Sequence, residues 1–306
     1  METVVAIALA ALGAGTPLVF AALGELVTEK SGVLNLGVEG MMVMGAVCGF
    51  VVASESGSLW LGVLVALLAG TAMAGLFAVL TLTFQANQVA AGLALTIFGV
   101  GASAFIGLDY TSVALTGIQP VHIPLLSELP VVGGLIFALD PLMYVSFAML
   151  GAVSWFLYRT RFGLVLRAVG EAPESAHAIG CAVIRIRYLA VLFGGAMAGL
   201  GGAYLALVYT PLWVEAMSAG RGWISVALVV FATWRPLRVM LGAYLFGGIT
   251  IIQFHAQAMG VDLPSQLLSM LPYLATIVVL VLISRDVNTI RLNAPASLGM
   301  SYHPAA

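Results

Sequence analysis

RTRFGLVLRAVGEAPESAHAIGCAVIRIR, residues 159–187, interrupts a very apolar chain with five arginines and two glutamates. Lys and Arg close to membrane spans are retained on the cytoplasmic side, so this segment reads as cytoplasmic. Leu164, Leu166 and Val169 recur at helical offsets, and Pro173 suits the first turn of a new helix whose N-terminus Glu171 and Glu174 would favour. The pattern predicts a short amphipathic helix lying across the cytoplasmic face. Within it Glu174, Ala176 and Gly180 follow the spacing E-x-A-x-x-x-G. A solvated basic loop that only sets topology is the plainer reading, but a docking helix for a soluble partner also accounts for the patterning.

Outward from this segment the composition fixes the class. Hydrophobic residues make up 62% of the 306 residues and charged ones 8%, against roughly a quarter charged in a soluble domain. The chain is therefore expected to be an all-α polytopic membrane protein, a single transmembrane domain over 1–306 with a coupling segment at 159–187 and a cytoplasmic tail at 285–306. Apolar runs predict nine spans, near 3–24, 36–53, 59–83, 89–108, 141–158, 188–209, 222–233, 239–254 and 267–284, with eight or ten left open. With the N-terminus outside and the C-terminus cytoplasmic, Lys30, Arg159, Arg161, Arg167, Arg185, Arg187, Arg235, Arg238, Arg285 and Arg291 fall inside, and Arg221 alone falls outside. The connection from Asp109 to Asp140 holds no Lys or Arg, as an external loop should. The first residues, METVVAIALAALG, lack the positive region of a cleavable signal and read as the first span. A net charge of −2 gives no footprint for nucleic acid, and Cys48 and Cys181 stand too far apart in unlike contexts to imply a disulfide framework or a metal site. GGAMAGLGGAYLAL, 194–207, spaces small residues as closely packed membrane helices do, or as a substrate-lining face would.

The 159–187 segment resembles the coupling segment of permease subunits of bacterial ABC importers, whose E-A-A-x-x-x-G motif docks into a cleft of the ATP-hydrolysing subunit; Ser175 stands where Ala is common. TPLVFAALGELVTEKSGVLNLGVEGMM (16–42), NQVAAGLAL (87–95), FGLVLRAVGEAP (162–173) and RGWISVALVVFATWRPLRVMLGAYLFGG (221–248) extend the likeness in matching order. Together they resemble the permease family serving ribose-type sugars, branched-chain amino acids and nucleosides, closest in wording to the nucleoside branch. The resemblance implies a multi-pass protein of the bacterial inner membrane that forms the pathway of a nucleoside importer, with ribose-type sugars or branched-chain amino acids as alternative cargoes. It further implies a second, longer permease, an ATPase with two nucleotide-binding halves and an extracytoplasmic solute-binding lipoprotein as partners. Arg167, Glu171, Glu174, Ala176 and Gly180 would form the coupling surface. No G-x-x-x-x-G-K-[ST] loop occurs in the chain, so ATP and Mg are expected on the partner ATPase and no cofactor, metal or catalytic residue is expected here.

SGVLNLGVEGMM, 31–42, places Asn35 and Glu39 four residues apart, on one helical face, amid Gly32, Gly37 and Gly40. Unpaired polar groups in a bilayer cost several kcal/mol, about 2–4 for an ionised one, so both side chains must face protein or water. Two roles stay open for Asn35: bordering the pathway beside a broken helix, or fixing the register of a neighbouring helix. Glu39, expected at the cytoplasmic end of span two, reads as structural or as a second pathway residue. Gln85, Asn87 and Gln88 form another polar knot, either a cytoplasmic turn or an inner gate whose amides suit a neutral polar solute. Phe98 and Phe105 are packing residues or stacking partners for a base. Trp234, Arg235, Pro236 and Arg238 predict a turn, or a second contact with the ATPase, and Trp213 and Trp223 read as interfacial residues. Glu215 and Arg221 are candidate contacts for the lipoprotein. Ion-coupled secondary transporters bury acidic residues deep in spans, whereas Glu25 and Glu39 are expected near span ends. An intramembrane enzyme would need a motif such as H-E-x-x-H or G-x-S-x-G, and neither is present.

Overall fold

The computed structural model describes residues 2–121, 137–259 and 293–303, with isolated positions between 270 and 281. Most of the expected span at 267–284 and much of the tail at 285–306 lie outside the described residues. In chain order the helices are α1 (Glu2–Lys30), α2 (Val38–Ser56), α3 (Leu59–Ala78), α4 (Gln88–Ile106), α5 (Pro141–Arg159), α6 (Arg161–Glu171), α7 (Pro173–Ala178), α8 (Val183–Tyr204), α9 (Arg221–Phe231) and α10 (Pro236–Ala258). Single π-helical turns, Val79–Thr83 and Leu205–Tyr209, extend α3 and α8. Among the described residues seven helices are long and apolar enough to cross a membrane.

Local chemistry sets several boundaries. The Asn87 side chain accepts from the Ala90 N–H at 3.0 Å to start α4, Asp140 accepts from Met143 at 2.8 Å to start α5, and Thr160 accepts from Gly163 at 3.0 Å to start α6. Pro141, Pro173 and Pro236 occupy the first turns of α5, α7 and α10, where the missing N–H has no intrahelical role. The expected seventh span is shorter than a span. At 11 residues α9 extends about 16 Å, half of a roughly 30 Å hydrocarbon core.

Helix α8 is the centre of the bundle, packed on α1, α2 and α3. Lipid provides no hydrophobic drive between helices, so contact depends on backbones coming close enough for dispersion to act. The small residues of 194–207 serve this packing: all of Gly194, Gly195 and Met197–Tyr204 are buried. A Cβ on Gly199 would overlap the Ala66 carbonyl of α3. Gly199→Ala is therefore expected to destabilise the protein by about 1–3 kcal/mol through overpacking. A thermal melt of the detergent-solubilised protein checks this; an unchanged midpoint would mean that α3 and α8 are not held this close.

Candidate functional site

Two interruptions of helical structure meet inside the bundle. After α1 ends at Lys30, residues 31–37 are not helical, opening with Gly32 at φ +90°. A chain that leaves the helix in a membrane must find partners for its backbone groups, because lipid offers none. The side chains supply them. Leu34 N–H donates to Gln88 Oε1 at 2.8 Å, Asn35 N–H to Glu25 Oε1 at 3.0 Å, and Gly37 N–H to Asn35 Oδ1 at 2.9 Å. The Leu36 carbonyl accepts from Thr96 Oγ1 at 3.0 Å and from the Trp223 indole at 3.3 Å. The Ser31 carbonyl accepts from Arg187 Nε at 3.1 Å.

The second interruption precedes α9. Residues 210–220 form no α-helix, and Ala216 and Ala219 take the left-handed conformation, at φ 53° and 48°. Glu39, in the first turn of α2, bridges the two breaks. Its Oε1 accepts from Ser218 Oγ at 2.5 Å and from Gly220 N–H at 2.8 Å, and its Oε2 accepts from Gly222 N–H at 2.6 Å. The carboxylate thus occupies the N-terminal end of α9, where free N–H groups and the helix dipole favour negative charge. Gly222 is required by this approach, since a Cβ there would collide with the Glu39 backbone. Gly222→Ala is expected to weaken the junction and lower uptake about tenfold, a loss of about 1.4 kcal/mol; uptake at the parent rate would show that the clash is relieved at no cost.

The junction packs against the middle of α4. Thr96, which holds Leu36, is eight residues into α4, about 12 Å from the end that starts at Asn87. Glu39 stands in the first turn of α2, at the end of span two where the sequence placed it. Arg221, expected outside, lies at the same junction with its guanidinium 5.4 Å from the centre of the Tyr209 ring. Its helix begins at this junction, beside Glu39. Trp213, expected at the interface, is buried at 1% exposure.

Of the expected pathway residues, Asn35, Glu39 and Gln88 come together, all buried, with their polar groups on the backbone of the two breaks. Asn87 caps α4 instead, and Phe98 faces outward at 56% exposure. Sequence reasoning missed Ser218 and the roles of Gln88 and Trp223 as backbone partners. Small residues alternating through SAGRG, 218–222, are the signal that a close approach was present.

At the end of the bundle carrying most arginines, α6 and α7 lie in series. Arg167 stacks 5.3 Å from the Tyr158 ring centre, and Glu171 and Glu174 are exposed. Ala176 is buried against Val169 and Val183, fastening α7 to its neighbours. The helix ends in a Schellman motif, with Cys181 N–H donating to the Ala176 carbonyl at 3.0 Å and Gly180 N–H to the His177 carbonyl at 2.8 Å. Gly180, at φ +89° and with nothing within 4 Å of a would-be Cβ, is the residue that such an ending needs. The turn expected at 234–238 is present, with Thr233 and Trp234 at positive φ and the Trp234 indole donating to Glu29 Oε2 at 2.5 Å.

Long apolar helices with a broken segment inside the bundle define a polytopic membrane protein. The chain matches the family described as branched-chain amino acid transport system / permease component over residues 7–283, and it belongs to that family. It is 41% identical to a putative glucose ABC transporter permease of Haloferax volcanii, covering 96% of each chain. It is 34% identical to a nucleoside ABC transporter permease of Lactococcus lactis, over 87% of this chain and 88% of that one. It is 32% identical to a guanosine ABC transporter permease of Bacillus subtilis, over 86% and 87%. No solved structure matches. The protein is a multi-pass integral membrane protein, a permease subunit of an ABC transporter.

Proposed function

We propose that this subunit forms one half of the pathway of a nucleoside importer. A second, longer permease supplies the other half, an ATPase with two nucleotide-binding halves binds ATP and Mg beneath them, and an extracytoplasmic lipoprotein delivers the solute. The observation that carries the substrate is the likeness, across most of the chain, to permeases whose names specify nucleoside and guanosine. The 41% likeness to a putative glucose permease favours a second reading, a hexose importer. Both cargoes are neutral and rich in hydroxyl groups, and neither needs a fixed counter-charge on the pathway.

In this account Asn35, Glu39 and Gln88 keep the two breaks in place beside the pathway, Asn87 and Phe98 lie near its inner mouth, and Arg167, Glu171, Glu174, Ala176 and Gly180 form the coupling surface. Closure of the ATPase on ATP draws the cytoplasmic helices together and opens the pathway outward, and hydrolysis resets it. Uptake of labelled guanosine, uridine, ribose and glucose by source cells with and without this gene, before and after ATP depletion, tests the reading. The expected result is loss of nucleoside uptake alone, dependent on ATP. Loss of glucose uptake alone would move the hexose reading to the front.

A further inference from the structure

Residues 293–303 carry no strand and no complete helical turn, yet they are fastened at several points to the arginine-rich end of the bundle. Arg187, 1% exposed, donates from Nη1 to the Met300 carbonyl at 3.2 Å and from Nη2 to Ser297 Oγ at 3.0 Å, while its Nε holds Ser31 at the end of α1. Ser297 Oγ donates to the Gly170 carbonyl of α6 at 2.7 Å, and Gly299 N–H donates to the Gly32 carbonyl at 3.2 Å. Gln85 Nε2 donates to the Tyr302 carbonyl at 3.3 Å and Lys30 Nζ to the Asn293 carbonyl at 2.6 Å. A buried guanidinium committed to neutral acceptors is worth keeping only if they are held in place, since each charged hydrogen bond contributes about 1.5–3 kcal/mol and losing its partners leaves a buried charge uncompensated.

This strap lies alongside α7. The Tyr302 ring is 6.2 Å from the His177 ring of α7, and a groove of about 310 Å³ runs between them. One wall is Glu171 and Glu174, the other Met300, Tyr302 and His303. Among the described residues no Lys or Arg lines this groove. The Met300 side chain is 61% exposed, and Ile179, one residue past α7, is 79% exposed. Two carboxylates in a polar groove repel anionic lipid headgroups and suit a basic side chain, and exposed apolar groups beside it suit a protein surface.

We propose that the ATPase docks on a composite surface, with α7 as one wall and residues 293–303 as the other, and inserts a Lys or Arg between them. The inference rests on the reading of α7 as the coupling helix. Arg187 and Ser297 are positioning residues here, setting the spacing of the walls.

A photo-crosslinking amino acid placed at Met300, at Ile179 and at the exposed Trp155 of α5, in cells making the whole transporter, tests it. The captured chain is identified by peptides containing a G-x-x-x-x-G-K-[ST] loop. Capture of the ATPase from Met300 and Ile179 but not Trp155 is the expected result. Capture from Ile179 alone overturns the composite surface while leaving α7 as the docking helix, and capture from neither position overturns both readings. Equal capture from Trp155 also overturns the proposal. Met300→Lys, which alters only an exposed side chain and sets a like charge against the inserted Lys or Arg, should lower ATPase retention on the purified complex about tenfold; retention at the parent level counts against it.

Discussion

Glu39→Ala is expected to abolish uptake and to lower the thermal midpoint of the solubilised protein by about 10 °C, for a loss of a few kcal/mol in a chain of this size. The substitution removes the acceptor from Ser218 Oγ, Gly220 N–H and Gly222 N–H together. Each buried donor left unpaired costs about 1–3 kcal/mol, and no water in the bilayer core can replace the carboxylate. Glu39→Gln should fall between, because its amide keeps one oxygen acceptor but turns an NH₂ group toward a donor. Melts of the three proteins, with uptake measured at equal expression, check the order. A Glu39→Ala protein as stable as the parent would mean that the two breaks do not depend on this bridge.

Gly180→Asp and Glu174→Lys are expected to reduce uptake at least about tenfold while membrane insertion and expression stay normal, the cost of one hot-spot contact at an interface. Gly180 adopts φ +89° with open space around its would-be Cβ, so a substitution there strains only the end of α7, by about 1–2 kcal/mol. The bundle itself should melt within a few degrees of the parent. Gly180→Asn separates geometry from docking, since Asn tolerates the left-handed region better than other residues and should retain more uptake than Gly180→Asp. Glu174 is exposed, so reversing its charge changes the surface presented to a partner and little else. Full transport by both Gly180→Asp and Glu174→Lys, at normal expression, would sink the coupling assignment.

The sequence resolved what depends on local pattern. Long apolar runs located α1–α5, α8 and α10, because a span must satisfy its own backbone and so appears as an uninterrupted stretch. Pro173 placed the start of α7 for reasons that act within a turn. What depends on distant partners was not legible. Glu39 meets residues 179 to 183 positions away, and nothing near it in the chain announces a bridge to a second broken segment. Span seven, expected at 222–233, was the shortest apolar run, and α9 covers Arg221–Phe231 of it. Arg187 counted only as a topological charge, although its guanidinium organises the C-terminal strap. The ninth expected span lies largely outside the described residues.

ATP-driven transport through this subunit is measured most directly in proteoliposomes holding the purified transporter, with the lipoprotein and labelled guanosine on the binding-protein side and ATP with Mg on the ATPase side. The account predicts uptake that requires ATP hydrolysis and disappears when this chain carries Gly180→Asp. Guanosine accumulation at the parent rate in the Gly180→Asp vesicles, or without ATP, would contradict it.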